Sequence, residues 1–332
     1  MEESPVILVT AGYDHTIRMW DALKSTCTRT IPYTETQVNR MALSSDKHYL
    51  AVAGNPRVSL YDVFGTSEQP VLNLDGHKAN VTAVEFTQDY KFLATSSEDK
   101  TIRWWDVYAG SCKRVLENGS MVNDLAIHPD SRQELIISCD QKGCVRVWGW
   151  KRQEVLCQVV PIPDVAIRSV AISPNGQLVV AGNNLGQMFV YRLIIDSSPQ
   201  TGRTVELEPY ISFDAHEGYR ITRVLFSFNG FYLATCSSDH TAKLWRLTER
   251  VITASGGGRE EVVQAGAEIV HTLAYHTRWV WDAAFSSDSG YLVTVSSDTR
   301  AALWDVSSGQ RIREFRGHGK GVMCVALNDA TG

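Results

Sequence analysis

FLATSSEDKTIRWWD, residues 92–106, joins an apolar alternating run to a polar turn carrying Asp99, then to a second alternating run that closes on Trp105. Period-2 alternation with β-branched residues, interrupted by turn formers, is the pattern of two short β-strands and their connection. The pattern recurs along the chain. ILVTAGYDHTIRMWD ends at Asp21, YLAVAGNPRVSLYD at Asp62, LIISCDQKGCVRVWG at Gly149, LVVAGNNLGQMFVYR at Arg192, YLATCSSDHTAKLWR at Arg246 and YLVTVSSDTRAALWD at Asp305. The seven closing aromatics, Trp20, Tyr61, Trp105, Trp148, Tyr191, Trp245 and Trp304, are spaced 41, 44, 43, 43, 54 and 59 residues apart.

A small antiparallel sheet of this kind cannot bury both faces alone, and radial stacking of such sheets solves that problem. The expected fold class is therefore all-β, a seven-bladed β-propeller occupying residues 1–332 as one domain, each blade having strands a to d from the channel outward. The chain starts in a strand b, at residues 7–12, and ends in a strand-a sequence, GVMCVAL, at residues 321–327. Blade 1 is thus expected to combine three N-terminal strands with one C-terminal strand, which pairs edges otherwise left free. Two departures from even spacing, around residues 194–208 and 248–269, read as insertions forming mobile surface loops; the second carries Ser255-Gly256-Gly257-Gly258.

Composition narrows the function. With 44% hydrophobic and 21% charged residues the chain has material for a core, and a formal charge of -5 disfavours a general polyanion binder. No nucleic-acid partner is expected. The seven cysteines, at 27, 112, 139, 144, 157, 236 and 324, lack Cys-x-x-Cys spacing, so reduced thiols are expected rather than a disulfide framework or a paired-cysteine metal site. The Gly-rich stretch lacks the Lys and Ser/Thr of a phosphate loop, and no cofactor is expected. No N-terminal leader or membrane span is read, so the expected location is the cytoplasm, with membranes reached only through partners.

Gly76-His77, Ala215-His216, Tyr275-His276 and Gly317-His318 stand before repeat units, and His77, His216 and His276 each lie 28 or 29 residues before their aromatic. With these dipeptides the chain resembles the WD40 repeat family over essentially its whole length. Blades 3, 6 and 7 then hold matching sets: His77, Thr95, Asp99, Trp105; His216, Thr235, Asp239, Trp245; His276, Thr294, Asp298, Trp304. Hydroxyl, imidazole and carboxylate mimic a nucleophile, base and orienter. A catalytic set is needed once, however, whereas this one recurs at one register. The resemblance implies that Asp accepts from His, His bonds the strand-b hydroxyl, and that hydroxyl meets the indole N–H, a blade-holding chain. Blades 2, 4 and 5, with Asn55-Pro56, Lys142 and Leu185 near the Asp register, are expected to lack the same network and to be locally less rigid.

Aligning the repeats gives the first core-facing residue of each strand a: Val38, Val81, Val122, Ile167, Ile221, Val280 and Val322. Their neighbours lie near one rim. The flanking pairs are Gln37/Asn39, Asn80/Thr82, Met121/Asn123, Ala166/Arg168, Arg220/Thr222, Trp279/Trp281 and Gly321/Met323. Two tryptophans where other blades have small or polar groups mark candidate interface anchors. Ring closure sets Gln37, Asn39, Trp279, Trp281 and Met323 on one arc, the expected partner surface.

VILVTAGYDHTIRMWDA, CTRTI, TQVN at residues 36–39, RWVWDAAFS at 278–286 and GHGKGVMCVALND make the resemblance narrower. They are similar to the small WD-repeat subunit of target of rapamycin (TOR) kinase complexes over nearly the full length. That resemblance implies a non-catalytic scaffold, present in TOR complexes 1 and 2, that docks on an insertion in the kinase C-lobe through Gln37, Asn39, Trp279 and Trp281, and reaches endomembranes through the complex. The long Gly-rich insertion departs from that family pattern. The alternatives are a generic peptide-binding adaptor, reading chromatin or ubiquitin-ligase substrates, and a propeller enzyme, for which no unique acid/base or metal cluster is visible.

Overall fold

In a computed structural model that describes residues 6–34, 36–198, 202–253 and 261–329, the quoted stretch forms β9 (Phe92–Ser97) and β10 (Thr101–Asp106). They pair antiparallel with Trp105 opposite Leu93 and Arg103 opposite Thr95. Five consecutive residues of β9 are buried. Both faces of a middle strand are covered by neighbouring blades, so it reads as a run of small and β-branched residues rather than as half-polar alternation. Outermost strands such as β11 (Ser111–Glu117) are largely exposed.

Among the described residues twenty-eight strands form seven four-stranded antiparallel sheets, each a blade of one β-propeller. Among the described residues the helical content is a single 3-10 turn at Ser131–Gln133. The core is divided accordingly into apolar clusters that each join two neighbouring blades. Ala51, Val58, Leu60 and Leu74 of blade 2 pack on Val81, Phe86 and Trp105 of blade 3, and the same arrangement continues round the ring. The closing aromatics are all buried in these wedges.

Closure follows the sequence expectation. Strand β28 (Val322–Asn328) pairs antiparallel with β1 (Ile7–Gly12), from Ile7 opposite Asn328 to Gly12 opposite Val322, and β2 (Thr16–Asp21) and β3 (Thr26–Pro32) complete blade 1. The backbones approach so closely here that a Cβ on Gly12 would lie 2.5 Å from the Gly321 carbonyl oxygen. Val293, Val295 and Phe315 of blade 7 pack on Leu8, Trp20 and Val322 of blade 1, and Asp329 accepts from Ser287 Oγ at 2.9 Å.

The two insertions are not surface loops. They lengthen the outer hairpins of blades 5 and 6: β18 (Gln187–Ser198) with β19 (Gly202–Asp214), and β22 (Thr241–Thr253) with β23 (Glu261–Ala274). Alternation explains the difference. Leu193, Val205 and Leu207 turn one face of the first hairpin onto Leu156 and Cys157 of blade 4, so the strands continue because they have a surface to cover. Arg192 pairs with Glu249 at 3.0 Å and links the two hairpins, and Arg203 donates to the Gln133 carbonyl at 2.6 Å. Ser255 to Gly258 lie outside the described residues.

Candidate functional site: a tryptophan-bearing rim and the networks that hold it

In blade 7 His276 Nδ1 is 2.9 Å from Asp298 Oδ2 and Nε2 is 2.9 Å from Thr294 Oγ1, which also accepts from Trp304 Nε1 at 2.9 Å. Blade 3 repeats this through Asp99 (2.8 Å), Thr95 (2.7 Å) and Trp105 (2.9 Å), and blade 6 through Asp239 (2.6 Å), Thr235 (2.8 Å) and Trp245 (2.9 Å). A neutral imidazole satisfies every member: Nδ1–H donates to Asp, Nε2 accepts the threonine O–H, and the indole N–H donates to the threonine oxygen. Burial holds His77 below the ordinary histidine value. Against the opposing effect of burial, hydrogen bonds and the imidazole keep Asp99 and Asp239 at about 2. With Thr95, Thr235 and Thr294 fully buried, no reacting atom reaches the hydroxyl. The geometry suits cohesion.

The structure adds a fourth such set, in blade 1. His318 meets Asp14 at 2.9 Å and Thr10 at 2.8 Å, and Trp20 donates to Thr10 at 2.8 Å. Its members lie about three hundred positions apart in sequence, so fixed spacing could not find them. Blade 4 uses different chemistry at the same place. Buried Asp140 accepts from Asn118 Nδ2 (3.2 Å), Arg146 and two turn N–H groups, while Trp148 donates to Ser138 at 2.9 Å. In blade 5 Asn183 Oδ1 takes the turn N–H groups of Leu185 and Gln187, each at 2.9 Å.

At the rim Trp279 is 37% exposed and Trp281 is half-buried, their rings 5.2 Å apart and tilted by 50°. The Trp281 indole donates to Ser297 Oγ at 2.6 Å, and the Arg220 guanidinium lies over the Trp279 ring at 5.4 Å. Gly321 fits against the backbone of Ser297, where a Cβ would come within 2.9 Å, so the tryptophan pair abuts the ring closure. Gln37, Asn39 and Met323 are half-buried on the adjoining blades.

Asn39 also has a structural task that the sequence reading missed. Its amide donates to Val81 O at 2.9 Å and to Asn80 Oδ1 at 3.1 Å on blade 3, while its oxygen accepts from Gln37. Equivalent residues reach the next blade's core-position carbonyl: Thr82 to Val122 (2.8 Å), Asn123 to Ile167 (2.7 Å) and Thr222 to Val280 (2.5 Å). This register is an inter-blade clamp; Trp281 occupies it but donates to Ser297 of its own blade, and Met323 occupies it with a side chain that has no donor.

Two residues beyond each core position lie Arg40, Ala83, Asp124, Ser169, Arg223, Asp282 and Cys324, an inner ring around the channel. Arg40 bridges Asp282 (3.1 Å) and Asp124 (3.5 Å), Arg223 bridges Asp124 (2.9 Å) and Asp282 (3.3 Å), and Ser169 Oγ donates to Asp124 at 2.6 Å. Paired charges and backbone donors let these ions lie buried. Charged residues in an otherwise small or apolar register were the available sequence signal. All seven cysteines are free thiols, four of them buried, and burial raises the Cys139, Cys236 and Cys324 thiols well above their ordinary value.

Seven blades and the recurring His-Thr-Asp-Trp chain define a WD-repeat propeller, and a family model described as WD domain, G-beta repeat matches residues 3–21, 68–106, 110–149, 207–246 and 267–305. Over 98% of its length the chain is 43% identical to Target of rapamycin complex subunit wat1 of Schizosaccharomyces pombe, of which it covers 96%. The corresponding values are 42%, 98% and 99% for Target of rapamycin complex subunit LST8 of Saccharomyces cerevisiae, and 35%, 98% and 96% for that of Bos taurus. The chain belongs to the LST8/wat1 family of WD-repeat proteins.

Proposed function

We propose that this chain is a non-catalytic subunit of a TOR kinase complex, docking on an insertion in the kinase C-lobe through the rim that carries Trp279, Trp281, Gln37, Asn39 and Met323. The observation that supports this reading is Trp279 itself: an indole left 37% exposed beside a half-buried partner ring, at a register that holds no other aromatic residue. Large aromatic anchors with a rigid neighbour are the residues that carry binding energy at protein interfaces. The propeller contributes surface and no reacting group. By binding one conformation of the kinase it shifts the population toward that conformation. A cytoplasmic location, peripheral on endomembranes through the complex, follows from the same role.

Trp279→Ala tests the reading by binding of the purified chain to the purified kinase. Truncating an interface anchor costs about 2–4 kcal/mol, roughly 30- to 1,000-fold in Kd, while the partly exposed site predicts a nearly unchanged melt. Undiminished binding by the Trp279→Ala, Trp281→Ala double variant excludes this rim.

A further inference from the structure

The chain carries a formal charge of -5, and much of its outer surface pairs cations with nearby carboxylates: Lys24 with Asp21, Lys113 with Asp106, Arg132 with Asp130, Lys151 with Glu134, Arg192 with Glu249, Arg311 with Glu314. Four cations on the rim of blades 5 to 7 have no such partner. Among the described residues no carboxylate lies within ion-pair distance of Arg168, Arg220, Arg278 or Lys320, although Asp164 stands on the loop before the Arg168 strand and Glu217 on the Arg220 loop.

These cations are contiguous with the tryptophan pair. Arg220 covers Trp279, and Arg168, one blade further on, is half-buried with Nε held by Asn184 Oδ1 at 2.7 Å. Burial, with a smaller contribution from the neighbouring Arg220 charge, lowers the Arg168 guanidinium below its ordinary value. Arg278 precedes Trp279 in the chain, and Lys320 precedes Gly321, which abuts Ser297 under Trp281. Apolar surface lies alongside: Tyr219 is 55% and Leu185 47% exposed, and their loops are joined by the Gly218 N–H to Leu185 O bond at 3.1 Å. Exposed Trp, Tyr and Arg around fixed, unneutralised positive charge are the composition of a protein interface whose partner supplies negative charge.

We propose that the docking surface extends from Trp279 across blades 6 and 5, and that Arg168, Arg220, Arg278 and Lys320 receive an acidic, Asp/Glu-bearing segment of the docked protein. The proposal rests on the reading of the Trp279 rim as the kinase-docking face and adds the chemistry of what sits there. Carboxylates placed between Arg168 and Arg220 relieve their mutual repulsion, and the planar guanidinium held by Asn184 presents its remaining donors as a fork suited to a carboxylate.

The test is binding of the purified full-length chain to the purified kinase at about 0.1 M and about 0.4 M salt, a range over which exposed charges become strongly screened. Arg168→Glu with Arg220→Glu is expected to weaken binding at least tenfold at the lower salt. The wild-type affinity should fall with salt and the variant's much less. Arg168→Gln with Arg220→Gln, which keeps the hydrogen-bonding capacity without the charge, should fall between them, with melts of both variants matching the wild type. Wild-type binding by both variants while Trp279→Ala loses it overturns the acidic-segment proposal and leaves the docking reading standing. Undiminished binding by all three variants overturns both. Tighter binding by the charge-reversed variant, or loss of wild-type binding after nuclease treatment, also overturns the proposal.

Discussion

Thr294→Val isolates the role of the His-Thr-Asp-Trp chain, because valine is nearly isosteric with threonine and leaves no cavity. The replaced oxygen is fully buried and serves two buried partners, His276 Nε2 and Trp304 Nε1, both at 2.9 Å. Each group left without a partner costs about 1–3 kcal/mol, so the substitution is expected to cost about 2–6 kcal/mol. Unfolding entropy of about 2.1 cal/mol/K per residue gives roughly 0.7 kcal/mol/K for this length, which converts the loss into a drop of about 3–9 °C in Tm. Blade 4 supplies an internal comparison. There Ser138 serves the Trp148 indole without an imidazole, so Ser138→Ala should cost about half as much. Calorimetric or fluorescence melts of both variants are the assay. A Thr294→Val melt within about 1 °C of wild type, or a larger loss for Ser138→Ala, refutes the view that the chain holds the blade.

Two further outcomes follow from closure and from the channel. Removing residues 321–332 takes β28 from blade 1 and Asp329 from Ser287, so the cooperative melt should be lost; an unchanged melt would show that the ring does not depend on that strand. Burial, aided by nearby Asp124 and opposed by Arg223, Arg40 and the Ile127 N–H, pushes Glu85 on the channel wall up to about 8. A raised folded-state value gives a contribution that is complete below the unfolded value of about 4.3 and lost as pH rises through about 8. Glu85→Gln cannot ionise, so its Tm relative to wild type should be higher at pH 8 than at pH 5. A pH-independent difference would contradict the assignment.

Much of the fold was legible because a propeller is built by repetition. Each blade must alternate toward two neighbours and close on a buried aromatic, and that requirement writes the same register into the sequence again and again. The interruption at Trp279 and Trp281 was legible for the same reason: an aligned repeat exposes the position that departs from it. The extended hairpins were misread because spacing and a Gly-rich turn outweighed the alternation of Leu193, Val205 and Leu207, whose partners sit on blade 4.

The sequence by itself determined the number of blades, the split blade 1 and the unusual tryptophan pair, all properties of local pattern and fixed spacing, and its resemblance to the WD40 repeat family implied three of the hydrogen-bonded chains. Only the tertiary structure decided what those patterns touch. It joined His318 to Asp14 and Thr10, committed Asn39 to the blade 3 backbone, locked Arg40 and Arg223 onto Asp124 and Asp282 across the channel, and set Arg220 over Trp279 beside Arg168. The physical reason is that strand register is set by neighbours along the chain, whereas charge pairing and exposure depend on which blades the closed ring brings side by side.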